Sequence, residues 1–224
     1  MSFTAADVIA SVRIDVNDST VPYRQSDANI LNMVNRTVKR ISVLRPDLFA
    51  TIVPFTCAAG VTQTMPANSM RLIDVLWSTT GQMNVNEVDR DAMDLMFGSW
   101  EFASPDNATD WMRDTRNPNV FYVYPPSSNS QVLQIEYAKS PTTYVLGDTV
   151  ELPDAYFPIV VDGTVAVYEG VDDESIGTGR AKERQTQFME ALGMTIKSKD
   201  VTDTRPGGQD DTQQAAPPQQ QGGQ

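Results

Sequence analysis

The clearest helical pattern of apolar and polar positions lies between Ser26 and Pro46. Ser26 can accept a hydrogen bond from a backbone N–H that lacks a partner inside the helix, and Pro46 disfavours helical geometry at the residue before it. Between them, apolar residues recur at steps of three and four and share one face: Ile30, Leu31, Val34, Val38, Ile41 and Leu44. The segment is therefore predicted to be a core helix of a bundle.

Helical spacing also appears near both ends of the sequence. Thr4 followed by Asp7 is typical of a capped helix start, and an apolar face then extends to about Asn17. From 159 to 170 the sequence is nearly all apolar, which predicts a central helix. A last helix with a sparser apolar face is predicted from 172–175 to about Lys199.

The middle of the chain changes to alternating positions rich in β-branched and aromatic residues, which predicts strands that pair antiparallel. The strands are expected near 51–56, 61–65, 71–79, 119–124 and 131–138, with turns at 59–60 and 125–130. A short acidic helix is predicted over 87–97, and 98–118 receives no assignment.

This order of elements predicts an α+β fold, in which N- and C-terminal helices form a helical bundle with an antiparallel β insertion. The predicted domains are 1–49 with 152–199 for the bundle and 50–151 for the insertion. Residues 200–224 have too few apolar side chains to offset chain entropy, so they are predicted to form an extended, low-complexity tail.

Composition narrows the classes of function. Seventeen lysine and arginine residues against 29 acidic residues give a net charge of −12, which argues against a general affinity for nucleic-acid phosphates. The sequence has no apolar run long enough to span a membrane and no secretory signal pattern, so a cytoplasm-like compartment is expected. With no histidine and a single cysteine, Cys57, neither a Cys/His dyad nor a typical zinc site can form.

The side chains that could still act in acid/base catalysis are carboxylates, which occur in three clusters: Asp89, Asp91 and Asp94; Asp106, Asp110 and Asp114; and Asp172, Asp173 and Glu174. Acid/base catalysis needs two carboxylates held across a pocket with separated pKa values, and spacing alone does not show that. Solvated surface and helix caps are the favoured interpretation, and no cluster has EF-hand spacing. Residues 177–180 lack the full pattern of a phosphate loop. We expect no enzyme activity, no cofactor and no metal.

Several short motifs follow one another in an order that is more specific than any one of them. They are YRQSD at 23–27, ILNMVN at 30–35, RPD at 45–47, GVTQ at 60–63, RLIDV at 71–75, VDR at 88–90, Trp100, FYVYP at 121–125, EY at 136–137 and LPDAY at 152–156. In this order the chain resembles the head-to-tail adaptor (connector) proteins of tailed bacteriophages, which sit beneath the portal ring. The resemblance covers roughly residues 3–170.

The resemblance implies a structural virion protein, made in the host bacterial cytoplasm and placed at the head–tail junction. Its partners would be other copies in a ring of about twelve, the portal protein and a tail or nozzle protein, with no membrane. Double-stranded DNA would pass through the ring without specific binding. Two alternatives stay open: another virion component such as a stopper or tail-tube protein, and an acidic-residue glycosidase.

Two sets of residues are candidate contact sites. Arg36, Lys39 and Arg40 lie off the apolar stripe and form a basic patch that we expect to meet a neighbouring acidic subunit, although an ordinary solvated face is the alternative. The tail is expected to become ordered on docking to the portal or to a neighbour. Its candidate contact residues are Val201, Arg205, Pro206 and Gln209.

Overall fold

The protein has a mixed α+β fold, seen in a computed structural model that describes residues 2–128, 130–172 and 178–193. These ranges contain five α-helices: α1 (Ala5–Asp15), α2 (Asp27–Leu44), α3 (Arg90–Met96), α4 (Phe157–Asp172) and α5 (Thr178–Ala191). They also contain eight strands: β1 (Ala50–Thr56), β2 (Gly60–Thr64), β3 (Ser69–Ser78), β4 (Met83–Asn84), β5 (Asn86–Glu87), β6 (Asp110–Arg113), β7 (Val120–Ser127) and β8 (Val132–Lys139). The α+β class is confirmed. The predicted domain boundaries stay predictions, and the tail from residue 200 lies outside the described residues.

Helices α1 and α2 begin at the predicted caps. Thr4 Oγ1 accepts a hydrogen bond from the Asp7 backbone N–H at 3.2 Å, and Asp7 Oδ2 accepts one from the Thr4 N–H at 2.8 Å. Ser26 Oγ accepts from the Asn29 N–H at 3.2 Å. Each cap satisfies a backbone donor that has no partner inside its helix, so local sequence determines both starts.

One hydrophobic core lies among α1, α2, α4 and α5. The predicted stripe of α2 faces it: Ile30, Val34, Val38 and Ile41 are fully buried, while Leu31 and Leu44 are partly buried. Helix α4 contributes Val160, Val161, Val165 and Tyr168, so the all-apolar segment is central as predicted. The core therefore joins elements from both ends of the described chain.

Helix α4 comes close to α2 and α5 at Gly163. A β-carbon at this position would lie 2.6 Å from Phe188 Cε2 and 2.7 Å from Thr37 Cγ2, closer than real β-carbons approach other atoms. Phe188 is itself only 1% exposed. The missing side chain at 163 therefore leaves the space that the Phe188 ring and Thr37 occupy.

A buried charged network joins α1, the connector before α2, and α4. Arg13 is 7% exposed, and its Nη1 donates to Asp18 Oδ2 at 3.0 Å. The Asp18 carboxylate, in a residue 4% exposed, also accepts from the Arg24 backbone N–H at 2.8 Å and from the Tyr168 hydroxyl at 3.2 Å. The hydrogen bond from the Arg24 N–H has the largest effect among the contacts that lower the pKa of Asp18 below its ordinary value. Burial acts in the opposite direction.

The side chain of Asn35 ties α2 to the segment that leads from β8 to α4. Its amide nitrogen donates to the Tyr144 carbonyl at 3.1 Å, and its amide oxygen accepts from the Tyr144 N–H at 2.8 Å. Asn35 is 7% exposed, so these bonds satisfy a buried amide that would otherwise be costly. The same segment pairs with the N-terminus, because Ala5 N–H donates to the Asp148 carbonyl at 3.0 Å.

The strands form two four-stranded sheets that contribute to a second core. The strand orders are β1-β8-β3-β4 and β2-β7-β6-β5. Among the described strands the pairs are antiparallel except for β5 with β6. The alternation predicted for β7 and β8 is confirmed, because Phe121, Val123, Leu133 and Ile135 are fully buried and their sequence neighbours are partly exposed. Met93, Trp100 and Met112 form a smaller core beneath α3.

Residues 125–130 were predicted to form a turn, which is wrong for their first part: β7 continues through Pro125 and Pro126 to Ser127. The register between β2 and β7 shifts, so that Gly60 pairs with Ser127 and Thr62 with Tyr122, which leaves 123–126 of β7 opposite Val61 alone. The β2 ladder therefore needs no N–H from the prolines. Strands β7 and β8 also lie in different sheets.

Two other segments differ from expectation. The unassigned 98–118 stretch contains a 3₁₀ turn (Trp100–Phe102) and strand β6. The last helix was predicted to begin at 172–175 and to reach about Lys199. Instead α4 continues to Asp172, and α5 ends at Ala191, shortly before Gly193, whose φ of +77° favours glycine and ends helices. Lys199 lies outside the described residues.

Candidate subunit-contact surfaces

The structure brings the three predicted patch residues together beside one open cavity. Arg36, Lys39 and Arg40 line a space of about 340 Å³ between α2, α4 and α5. The rest of the lining is Thr37, Gly163, Val167 and Phe188. Exposed cations therefore surround an apolar depression, an arrangement suited to an acidic partner that also carries apolar side chains.

The three cations differ in their availability. Arg40 Nη1 donates to Gln185 Oε1 at 2.8 Å, and its guanidinium lies 5.6 Å from the centre of the Phe188 ring. Arg40 therefore supports the contact between α2 and α5. Arg36 and Lys39 are exposed, and within the described residues their side chains make no hydrogen bond or ion pair. They are the cations free to meet a partner.

A second depression continues the first along α2. It measures about 300 Å³ and is lined by Gln25, Asn29, Asn32, Met33, Arg36 and Val171. Arg36 belongs to both spaces, so we call the two together the α2 groove. Among the described residues that line the two depressions, three are basic (Arg36, Lys39 and Arg40) and none is acidic, in a chain of net charge −12. The groove is thus a positive strip on a negative protein.

A second surface was missed by sequence analysis. On α3 and the turn after it, Leu95 is 89% exposed, Met96 61% and Phe102 86%. With the exposed carboxylates of Asp91 and Glu101, these side chains form what we call the α3 lobe surface. The available signal was the run of Leu95, Met96 and Phe97 where the seven-residue helix ends, because one helix face cannot bury three consecutive residues.

The α3 lobe surface is held on a fixed base. Trp100 is 3% exposed, and its indole Nε1 donates to Asp94 Oδ1 at 2.6 Å. Arg90 lies 4.6 Å from the centre of the Tyr122 ring and contacts Glu101 at 3.4 Å. These contacts fix α3 and the turn after it while leaving their apolar side chains in solvent.

Residues from two of the three carboxylate clusters line the same cavity. Asp89, Asp91, Asp94 and Asp114 line a charged cavity of about 710 Å³, whereas Asp106 and Asp110 do not. The Arg116 backbone N–H and the Tyr122 hydroxyl lower the pKa of Asp114, the opposite of what a general acid needs. Among the described residues no group of three His, Cys, Asp or Glu side chains could hold a metal ion. Asp173 and Glu174 lie outside them.

Cys57 is 1% exposed, and burial raises its pKa to about 11. Because the thiolate is the reactive form, we expect the folded protein to react with a thiol reagent at pH 8 far more slowly than the protein in urea. The absorbance of released thionitrobenzoate measures both rates. Equal rates would contradict the buried, protonated thiol.

Comparisons with known proteins bear on identity. A comparison with curated proteins gave no match. In the part of the chain that the structure describes, no helix is long and apolar enough to cross a bilayer. The family model described as SU10 adaptor protein matches residues 3–214, nearly the whole chain. The chain therefore belongs to the SU10 adaptor protein family, structural adaptors of phage particles that interact with portal and tail components.

Proposed function

We propose that this protein is a ring-forming head-to-tail adaptor that joins the portal to the tail and lines the DNA channel. The family match over residues 3–214 carries the proposal. A ring of about twelve copies, made of heterologous contacts, closes only if each subunit presents two different complementary faces. In this assembly the helices at both ends form the bundle and the strands form an insertion between them.

The α2 groove is one of the proposed faces. Arg36 and Lys39 project from it without partners among the described side chains, so they can pair with acidic groups of a neighbouring copy. Charge complementarity at an interface favours the right partner and the right orientation. Arg40 acts in this surface mainly by holding Phe188 and Gln185 in place.

The acidic balance suits a channel through which DNA moves. The chain carries 29 acidic residues against 17 basic ones. A negative lumen repels phosphates and keeps the duplex from adhering, whereas a basic lumen retains it. Double-stranded DNA would therefore pass without specific binding.

The C-terminal tail is proposed to dock on the portal or on a neighbouring copy. Its candidate contact residues, Val201, Arg205, Pro206 and Gln209, lie outside the described residues and stay a prediction. The polar composition from residue 200 onward supports a segment that becomes ordered only on binding. Such a segment can span a large surface at modest affinity.

Mixing the protein with the portal protein of the same phage tests the adaptor role. We expect mass photometry to detect a portal ring carrying about twelve added copies, because a ring-shaped partner offers one site per subunit. A chain that stays monomeric beside an unoccupied portal would contradict the role. Density at another position in a particle reconstruction would instead favour a stopper or tail-tube protein.

Reversing charge in the α2 groove tests that face. The Arg36→Glu/Lys39→Glu variant should occupy portal rings about tenfold more weakly, because like charges then meet at the interface. Its melting temperature should match the wild type, since both side chains are exposed. The control is Arg71→Glu/Lys182→Glu, which has the same net charge on other exposed residues. If both variants occupy portal rings equally well, the groove is not a subunit contact.

A further inference from the structure

The α3 lobe surface and the α2 groove carry opposite charge. Residues 87–106 contain six acidic side chains and one basic side chain. The described lining of the α2 groove has three basic side chains, Arg36, Lys39 and Arg40, and no acidic one. Two surfaces of opposite sign on one chain attract each other when they belong to different copies. They therefore meet the requirement for a heterologous contact.

Both surfaces also carry apolar groups that lack cover. Leu95 and Phe102, at 89% and 86% exposed, are the two most exposed large apolar side chains of the described residues. Beside the groove, Val43 lies one helical turn beyond Lys39 on α2 and is 68% exposed, and Val167 lines the cavity itself. Apolar side chains rimmed by charge are typical of the centre of a protein–protein contact.

The two surfaces belong to different cores of the chain. The α3 lobe surface stands on the small core of Met93, Trp100 and Met112. The α2 groove stands on the helical core, to which Val34 and Val38 belong. Within one copy, no hydrogen bond or ion pair among the described residues joins the charged side chains of the lobe to those of the groove, so we take their contact to be one between two copies.

We propose that the α3 lobe surface of one copy docks in the α2 groove of the next copy. The proposal rests on the ring assembly proposed above and names the two faces that close it. The apolar side chains of the lobe cover Val43 and the cavity beside it. Asp91 and Glu101 then face Arg36 and Lys39, and each chain offers one lobe and one groove.

Removing the apolar anchors is the first test. Leu95→Ser/Phe102→Ser should reduce occupancy of portal rings by about tenfold or more, the size of a hot-spot loss. The melting temperature should not fall, because both side chains are almost fully exposed. Ile14→Ser/Val145→Ser is the matched control, since these apolar side chains are 69% and 62% exposed on other parts of the chain. It should assemble as the wild type does.

A charge exchange tests the pairing itself. Asp91→Lys/Glu101→Lys should weaken occupancy about tenfold, as should Arg36→Glu/Lys39→Glu. A chain carrying all four substitutions restores opposite charge at every contact, so its occupancy should return to within about threefold of the wild type. Additive loss in the fourfold variant would overturn the pairing.

The outcomes separate the two proposals. If the wild-type chain does not bind portal, the adaptor role fails, and the contact that rests on it fails too. If the wild type binds and the lobe variants bind equally well, only the contact between lobe and groove is overturned. If the lobe variants ring the portal normally and instead lose a tail component, the lobe binds that component, and docking on a second copy is likewise overturned.

Discussion

Replacing Gly163 by alanine is expected to lower the free energy of unfolding by about 1–3 kcal/mol, the usual cost of overpacking a core. The new methyl group would sit 2.6 Å from the Phe188 ring and 2.7 Å from Thr37 Cγ2. Either the ring must leave its buried position or α4 must move away from α2. Alanine's better helix propensity offsets at most about 1 kcal/mol of that cost.

Urea denaturation measures this change, and Gly170 supplies a matched control in the same helix. Among the described residues, no atom lies within 4 Å of a β-carbon placed at 170. Gly170→Ala should therefore leave stability unchanged or raise it by up to about 1 kcal/mol. A double-mutant cycle with Phe188→Leu should show coupling, since the smaller side chain relieves the clash. Equal stability of the Gly163 and Gly170 variants would show that the core is looser than described.

Replacing Arg13 by alanine is the second substitution with a large expected effect, on the order of 3 kcal/mol of unfolding free energy. The substitution leaves the Asp18 carboxylate buried without its cation. It also removes the donors to the Gln25 carbonyl at 2.9 Å and to Asp27 Oδ1 at 2.6 Å. The connector before α2 would lose the side chain that holds it to α1.

Thermal and urea unfolding measure the loss, and an exposed ion pair provides the comparison. Lys139 contacts Glu151 at 3.2 Å, with both side chains about one-third exposed. Lys139→Ala should cost less than about 1 kcal/mol, because exposed ion pairs contribute little. If the two alanine variants lose similar stability, the Arg13 network is not a buried determinant of the fold.

The same network makes stability depend on pH. Because hydrogen bonds, first that from the Arg24 N–H, lower the pKa of Asp18 below 3.8, the unfolded chain binds this proton more readily than the folded chain. The contribution is present above the unfolded pKa and is lost as pH falls through the folded one. Asp18→Asn should therefore flatten the decline of melting temperature between pH 5 and 3.

Local sequence determined what could be predicted. The starts of α1 and α2 could be predicted from Thr4 and Ser26, because each capping hydroxyl accepts a hydrogen bond from a backbone N–H only three residues later. The two-sheet arrangement was not predicted, because β1 pairs with β8 about 80 residues away, and no short pattern encodes that partner. Pro125 suggested a turn because the sequence did not reveal the register shift between β2 and β7, which leaves the prolines of β7 outside the β2 ladder.

The contact surfaces were predictable only in part. The α2 period placed Arg36, Lys39 and Arg40 away from the stripe, and the structure gathers them at one cavity. Arg40 donates a hydrogen bond to Gln185, which lies 145 residues further along the chain, so the pattern of α2 could not reveal this partner. The α3 lobe surface was missed because the many acidic residues of 87–97 indicated a solvated helix, and the apolar residues at its end were not considered as a contact surface.

The bonds between Asn35 and Tyr144 have a mechanical consequence. The chain passes from the helices to the sheets through 45–49, directly after α2, and returns through the segment after β8, which Asn35 ties to α2. The sheets are therefore connected to α2 at two points, through the chain that follows α2 and through the side chain of Asn35, and a twisting force on the sheets is shared between them. The segment after β8 cannot rotate freely against α2 while the buried amide of Asn35 keeps both hydrogen bonds to the backbone of Tyr144.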